Sequence, residues 1–234
     1  MRVPLAYPKR KYDIDMISLA VGLLLSHPSF RVDDPVTVIA SEDIWVYPNA
    51  GDPAGDETFK VWGVEGKAVA EKPGQAESFG YGYLKFELPA APDGKKLVSA
   101  FMVLKPTASM KVDKNAADYP LEVRPLVGKF EEKKWTYDMA STVYPGDTIF
   151  GKGVVAPVDG STDATNLEIR VDLMGAKSKF GEAFAKANGA KEPMFFALTS
   201  KYDAGENGRE GIYRIYTRDR KEAELKPRIV LKFE

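Results

Sequence analysis

The fold is decided by Tyr81-Gly82-Tyr83-Leu84-Lys85-Phe86-Glu87-Leu88-Pro89 and, shortly after it, Val98-Ser99-Ala100-Phe101-Met102-Val103-Leu104. In the first stretch Leu84 and Phe86 alternate with polar or ambivalent neighbours, and the second stretch alternates in the same way. Period-two alternation is typical of a β-strand with one buried face. Residues 89–94 include proline, aspartate and glycine, which favour a tight turn. The pattern predicts two strands of one sheet joined by a turn.

Similar short apolar stretches continue along the chain, each bounded by turn-forming residues. The clearest is residues 167–173, in which apolar and charged side chains alternate strictly. Many short strands separated by turns are typical of a β-sandwich. We therefore predict an all-β fold, an antiparallel, jelly-roll-like sandwich over residues 36–234. The further predicted strands are residues 36–40, 44–47, 59–64, 121–127, 194–199, 212–218 and 229–233.

One segment of the predicted sandwich departs from strand periodicity. Residues 177–188 place Phe180 and Phe184 at helical spacing, and Gly189 is a typical helix stop. This pattern predicts one short helix near 177–188. The residues expected to share the interior between the two sheets include Phe86, Met102 and Leu231.

The composition excludes several classes of function. The chain has 234 residues, of which 44% are hydrophobic, enough for one large β domain. Its formal net charge is -1, so no basic face is expected and no nucleic-acid partner is predicted. The absence of cysteine excludes disulfides, thiolate nucleophiles and zinc–thiolate sites. The single histidine, His27, excludes a Ser-His-Asp triad in the sandwich. Chance pairs of carboxylates leave a glycan-active enzyme as a remote alternative.

The N-terminal residues 1–35 differ from the rest and predict an apolar helical arm. A basic patch, Lys9-Arg10-Lys11, precedes an apolar run over residues 16–25. A secretory signal has the same order, although Asp13 and Asp15 interrupt the junction. Ten apolar residues are too few to cross a bilayer, which needs about 20, so no transmembrane span is predicted. The arm must be buried, either on its own sandwich or on another subunit. The predicted docking residues are Met16, Ile17, Leu19, Leu23, Leu24 and Leu25.

An acidic loop early in the sandwich is a candidate calcium site. Hard oxygen ligands clustered in a loop suit Ca²⁺. Asparagine and aspartate are also the ordinary residues of turns, so simple turn chemistry stays open as an alternative. The candidate ligands are Asp43, Asn49, Asp52, Asp56 and Glu57.

Aromatic residues opposite the predicted core positions are candidates for a sugar-binding platform. Pyranose rings pack on exposed aromatic faces, with polar groups beside them to bind the hydroxyls. The alternative is that these aromatic residues fill the core and cover the sheets. The candidate platform residues are Tyr81, Tyr83, Lys85, Trp45 and Tyr47.

The order of these segments resembles the DNRLRE-domain family, a group of β-sandwich modules classed among carbohydrate-binding modules. Phe130 and Tyr137 stand where that family tends to have tryptophan, and Asp219 stands where it tends to have glutamate. The resemblance implies a sandwich fold and, as a function, polysaccharide binding at a cell surface or in a matrix. The motifs are Gly82–Leu88, Val98–Leu104, Phe130-Glu131-Glu132 with Trp135-Thr136-Tyr137, and Ile215–Asp219 with Pro227–Leu231.

Two functions are therefore weighed from the sequence. The first is a non-catalytic structural or assembly subunit of an extracytoplasmic complex or filament, joined to other protein subunits through the N-terminal arm. The alternative is a polysaccharide-binding module. The resemblance to the DNRLRE-domain family implies an extracellular, cell-surface or periplasmic location. Glu131-Glu132 is interpreted as a solvated turn in both cases.

Overall fold

The computed structural model of this chain describes residues 34–46, 55–63, 79–108, 110, 118–140, 143, 145–158 and 166–234. Apart from Asp34 and Pro35, the predicted N-terminal arm with its docking residues lies outside the described residues. Among the described residues, no helix is long and apolar enough to cross a bilayer.

The described residues contain twelve strands and a few short helices. The strands are β1 (Val36–Ile39), β2 (Glu42–Val46), β3 (Thr58–Gly63), β4 (Phe79–Phe86), β5 (Leu97–Leu104), β6 (Leu121–Pro125), β7 (Gly151–Gly153), β8 (Val155–Pro157), β9 (Leu167–Asp172), β10 (Met194–Thr199), β11 (Tyr213–Tyr216) and β12 (Arg228–Phe233). The α-helices are α1 (Tyr137–Ala140), α2 (Phe180–Ala190) and α3 (Ala204–Asn207), and the 3-10 turns are η1 (Glu132–Lys134) and η2 (Ala223–Leu225).

The strands form two antiparallel sheets, which confirms the predicted all-β sandwich. Sheet A has the order β1-β12-β5-β9-β8. Sheet B has the order β11-β3-β4-β10-β6-β7, and β2 also pairs with β4. Strand β4 is the centre of sheet B, because it pairs with β10 along one side and with β2 and β3 along the other.

The main core lies between the two sheets. Ala100 pairs with Leu231 and Met102 with Ile229, so these side chains share the inner face of sheet A. Leu84 and Phe86 of β4 are fully buried in the same cluster. The predicted interior residues Phe86, Met102 and Leu231 are all buried in it, as expected. Burying each side chain of this size stabilises the fold by about 1.5–3 kcal/mol.

Helix α2 closes one end of the main core. Phe180 and Phe184 are buried, and Phe180 packs against Phe196 of sheet B at a centroid distance of 6.2 Å. The predicted helical spacing of these two residues is therefore confirmed. The predicted stop at Gly189 is wrong, since the helix continues to Ala190. The helix ends at Ala190 and is capped by Lys191, whose φ of 55° is left-handed and whose N–H donates to carbonyl groups of the last turn.

A second, smaller core covers the other face of sheet B. Residues 126–140, called the covering segment below, contain η1 and α1 and pack over β2, β4 and β10. The central strand of sheet B is consequently buried on both faces, not on one as its alternation predicted. The members of this second core are Ile44, Val46, Tyr81, Tyr83, Leu126, Phe130, Trp135, Ala140 and Ala197.

Candidate functional sites

The predicted aromatic platform is buried beneath the covering segment. Tyr83 is 1% exposed, and its ring lies 5.5 Å from that of Trp135 and 6.1 Å from that of Phe130. Tyr81 is buried in the same layer. The expected exposure of both tyrosines is therefore wrong. The physical reason is that an extra layer of chain, far from β4 in sequence, takes the place of solvent on this face.

Of the remaining platform candidates, Lys85 lies on the same face of β4 as the tyrosines, whereas Trp45 faces the main core. Trp45 lies opposite Gly82 and is buried in the main core, where its Nε1 donates to Asp56 Oδ2 at 3.0 Å. Lys85 is half-buried and its Nζ pairs with Glu42 at 2.7 Å. Tyr47 lies outside the described residues. The described candidates thus form no exposed aromatic surface.

Glycines explain why the tyrosines face outward from the main core. A Cβ at Gly80 would lie 2.2 Å from the ring of Trp62, and one at Gly82 would lie 2.8 Å from Phe59. Both glycines face the main core, where the rings of Trp62 and Phe59 leave no space for a side chain. The alternating Gly-Tyr pattern of β4 therefore reflects close packing on its main-core side.

The predicted calcium ligands are divided between separate contacts. Asp43 accepts the N–H of Arg218 on Oδ2 at 2.7 Å, Asp56 accepts Trp45 Nε1, and Glu57 pairs with Arg220. No group of three or more histidine, cysteine, aspartate or glutamate residues fit to hold a metal ion occurs in the described part of the chain. Calcium binding stays a prediction for the other two candidates, Asn49 and Asp52, which lie outside the described residues.

A buried cluster of acids joins three distant parts of the chain. Asp43 N donates to Glu132 Oε2 at 3.3 Å, and the Arg218 guanidinium donates to the same oxygen at 2.7 and 3.0 Å. Glu132 N in turn donates to Glu42 Oε2 at 2.9 Å. The interpretation of Glu132 as part of a solvated turn is wrong, since its side chain is buried in this cluster.

The acids of this cluster differ in their pKa. Burial raises the pKa of Asp43 from 3.8 to about 7, and the hydrogen bond from the Arg218 N–H opposes this only in part. Burial also raises the pKa of Glu42, but hydrogen bonds from Lys85 and the Glu132 N–H outweigh it and leave that pKa below its ordinary value. The charged form is therefore disfavoured at Asp43 and favoured at Glu42.

A second buried ion pair lies on β6 and β7. Arg124 donates to Glu122 Oε2 at 2.7 and 3.2 Å, and Lys152 Nζ pairs with Glu122 Oε1 at 2.7 Å. Burial raises the pKa of Glu122, but the hydrogen bonds from Lys152 and Arg124 outweigh it and lower the pKa. Glu122 and Arg124 are both buried, and the contact of Lys152 with Glu122 joins β6 to the edge strand β7.

A shallow groove of about 390 Å³ opens beside this ion pair, where the chain passes from sheet B to sheet A. Its charged residues are Lys152, Arg170 and Glu168. The Arg170 guanidinium lies 3.9 Å from the ring centroid of Phe101, and Glu168 pairs with Lys105 at 3.8 Å. Both cations of the groove are therefore held in place by other side chains. The full lining is Pro120, Lys152, Gly153, Val154, Ala156, Pro157, Glu168 and Arg170.

Strand β1 is an edge of sheet A in the part of the chain that the structure describes. Among the described residues it pairs with β12 only. Val36 and Ile39 are 37% and 41% exposed. Ala40 N donates to Pro227 O at 2.9 Å, and hydrogen-bonded residues alternate along an antiparallel pair. The backbone N–H and C=O groups of Thr37 and Ile39 therefore point away from β12.

The other described edge strands carry the usual protection against pairing. Natural edges are blocked by charged residues, by proline or by very short strands. Strand β8 ends in Pro157, β7 has three residues with Lys152 at its centre, and β2 begins with Glu42 and Asp43. Strand β11 carries Arg214, and its Ile215 is bridged to Pro106. The edge strand β1 consists of Val-Thr-Val-Ile and contains neither a charge nor a proline.

Comparison of the chain with models of known protein families and with curated proteins finds no match. The resemblance to the DNRLRE-domain family stays a prediction carried by its four motifs. Two residues of the third motif, Phe130 and Trp135, belong to the second core, where both are buried.

Proposed function

We propose that this chain is a non-catalytic structural subunit that assembles with other protein chains outside the cytoplasm. The observation that carries the proposal is the edge of β1, with its β-branched residues and its lack of charge and proline. An open edge of this composition is suited to pair with a strand of another chain. The partner we propose is a second copy, because antiparallel pairing of a strand with itself is self-complementary and closes a two-fold dimer.

The apolar segment 16–25 supports the same function. It lies shortly before β1 in the sequence, and a segment this apolar needs a buried site. We propose that it docks on another subunit and adds to the contact at β1. The extracytoplasmic location rests on the resemblance to DNRLRE-domain modules.

Replacement of an edge residue tests the proposal. Ile39→Lys places a charge on the exposed side of β1, which is how natural edges are protected. The matched control is Val98→Lys, because Val98 is 43% exposed on the same sheet but lies on an inner strand. Molar mass is measured for the full chain by size-exclusion chromatography with light scattering.

The expected result is an oligomer for the original chain, a shift to monomer for Ile39→Lys and no shift for Val98→Lys. A chain that is monomeric at its highest soluble concentration would contradict the proposed function. An oligomer unaffected by Ile39→Lys would keep the assembly role and remove β1 as its contact. The same molar-mass measurement on the double variant Leu19→Asp, Leu23→Asp then tests whether the N-terminal segment holds the subunits together.

Polysaccharide binding is the second candidate, and the groove beside Lys152 and Arg170 favours it. Preformed cations and a carboxylate around an open apolar floor suit a sugar chain with polar or acidic groups. Arg170→Ala should abolish binding on a glycan array. Lys129→Ala serves as the control, because Lys129 pairs with Glu192 on the surface and does not line the groove. An array without signal for the original chain would end this candidate.

A further inference from the structure

The buried acid cluster is placed to control how firmly the covering segment is held. It connects β2, η1 and the turn after β11, whose residues Asp43, Glu132 and Arg218 are separated by 86 to 175 positions in sequence. Turn η1 lies between Phe130 and Trp135, the two rings that pack on Tyr83. A contact that holds η1 in place therefore also holds Phe130 and Trp135 over the second core.

Asp43 is the central group of this connection. Its side chain is 2% exposed, its Oδ2 accepts the Arg218 N–H, and its own N–H donates to Glu132. Its other oxygen, Oδ1, is buried with no hydrogen-bond partner among the described residues. A buried carboxylate oxygen without a partner is costly when charged, whereas the protonated acid carries no charge to desolvate.

The charges around Asp43 also favour its protonated form. The Arg218 guanidinium already donates to Glu132, and the carboxyl groups of Glu132 and Asp219 lie close enough to raise the pKa of Asp43. Ionised Asp43 would therefore add negative charge to a cluster in which acids outnumber bases. By element, the charged groups are Glu42 from β2, Lys85 from β4, Glu132 from η1, and Arg218 and Asp219 from the turn after β11.

We propose that Asp43 acts as a proton-controlled clasp, which holds η1 and the covering segment on sheet B while it is protonated and loosens them when it loses the proton. The raised pKa of about 7 places this change in the neutral range. The clasp is independent of the proposed assembly at β1, since none of its residues lies on that strand.

The sign of the pH dependence follows from proton binding. The folded-state pKa of Asp43 lies above its ordinary value of 3.8, so the folded protein binds this proton more tightly than the unfolded chain does. Its contribution is fully present below about pH 4 and is lost as the pH rises through the folded-state value. The covering segment should therefore be best protected in mild acid and least protected in mild alkali.

Hydrogen exchange and carboxyl NMR test the clasp directly. Amide protection of residues 126–140 is compared with that of β5 between about pH 5 and about pH 9, after correction for intrinsic exchange. The variant Asp43→Asn keeps the shape and hydrogen bonding of the protonated acid and cannot ionise. The matched control is Glu122→Gln, which alters the other buried carboxylate cluster. The ¹³C signal of the Asp43 carboxyl, assigned by its absence in Asp43→Asn, reports the pKa of that group.

In the original chain and in Glu122→Gln, protection of residues 126–140 should fall as the pH rises from about 5 and should level off above about 7. The Asp43 carboxyl signal should titrate with a midpoint near 7. In Asp43→Asn the protection should not change with pH. A carboxyl signal that titrates below about pH 5 would overturn the proposal, because Asp43 would then be charged throughout. Protection that is independent of pH in the original chain would also overturn it, even if Asp43→Asn failed to fold.

Discussion

Replacement of Tyr83 by alanine distinguishes a core tyrosine from a surface platform. The structure buries this side chain between sheet B and the covering segment, with rings of Phe130 and Trp135 at centroid distances of 6.1 and 5.5 Å. Alanine would leave a cavity lined by those two rings. An exposed platform tyrosine would instead be lost without structural cost, as surface substitutions usually stay within about 0.5 kcal/mol.

The loss of stability expected for Tyr83→Ala follows from the area that the side chain buries. A buried aromatic side chain removes about 150–250 Å² from water. At about 25 cal/mol per Å² this area is worth about 4–6 kcal/mol, an upper estimate because the unfolded chain already buries part of it. Measured large-to-alanine substitutions of aromatic residues cost about 3–5 kcal/mol. For a domain of this size that loss lowers the melting temperature by about 6–20 °C.

Thermal unfolding followed by circular dichroism measures this change, with urea unfolding as an independent measure of the free energy. Val98→Ala is the control, because Val98 is 43% exposed and its truncation should change stability little. The reasoning is refuted if Tyr83→Ala unfolds within about 2 °C of the original chain, the shift expected of a surface change.

Further predictions concern the glycines and the second ion pair. Gly82→Ala should destabilise the protein by about 1–3 kcal/mol, because the new Cβ would stand 2.8 Å from the Phe59 ring. Gly189→Ala, in a helix position with nothing within 4 Å, should instead stabilise it by about 0.5–1 kcal/mol, and equal shifts in the urea midpoint for both would contradict this packing. Glu122→Ala should cost about 3–5 kcal/mol, since it leaves Arg124 buried without its carboxylate. The folded-state pKa of Glu122 lies below its ordinary value of 4.5, so its stabilisation is present above that pH and is lost as the pH falls through the folded-state value. Acid unfolding of Glu122→Gln should therefore be flatter than that of the original chain, and an unchanged acid profile would contradict a stabilising role for the pair.

The architecture was predictable because alternation is a local signal. Leu84 with Phe86, and Ala100 with Met102, mark the main-core faces of two strands, and the structure buries all four. The spacing of Phe180 and Phe184 likewise predicted a helix that the structure contains. In each case the residues that carry the signal lie within a few positions of one another.

The candidate sites were less predictable because they depend on distant segments. The alternation of β4 indicates that two faces differ, but it does not show whether water or a second core covers the outer one. Phe130 and Trp135, which cover Tyr83, lie about fifty positions further along the chain. The clasp at Asp43 spans up to 175 positions, and no pattern near Asp43 indicates its partners.

A single introduced cysteine tests most directly whether two copies pair through β1. The chain has no cysteine of its own, so Thr37→Cys creates the only thiol, at a position exposed on the open edge. If two β1 strands pair antiparallel near this residue, mild oxidation should produce a disulfide-linked dimer, because cross-strand Cα atoms lie within the distance that a disulfide spans. The account predicts rapid dimer formation for Thr37→Cys and little for Val98→Cys. Equal yields from the two variants, or no covalent dimer from Thr37→Cys, would contradict it.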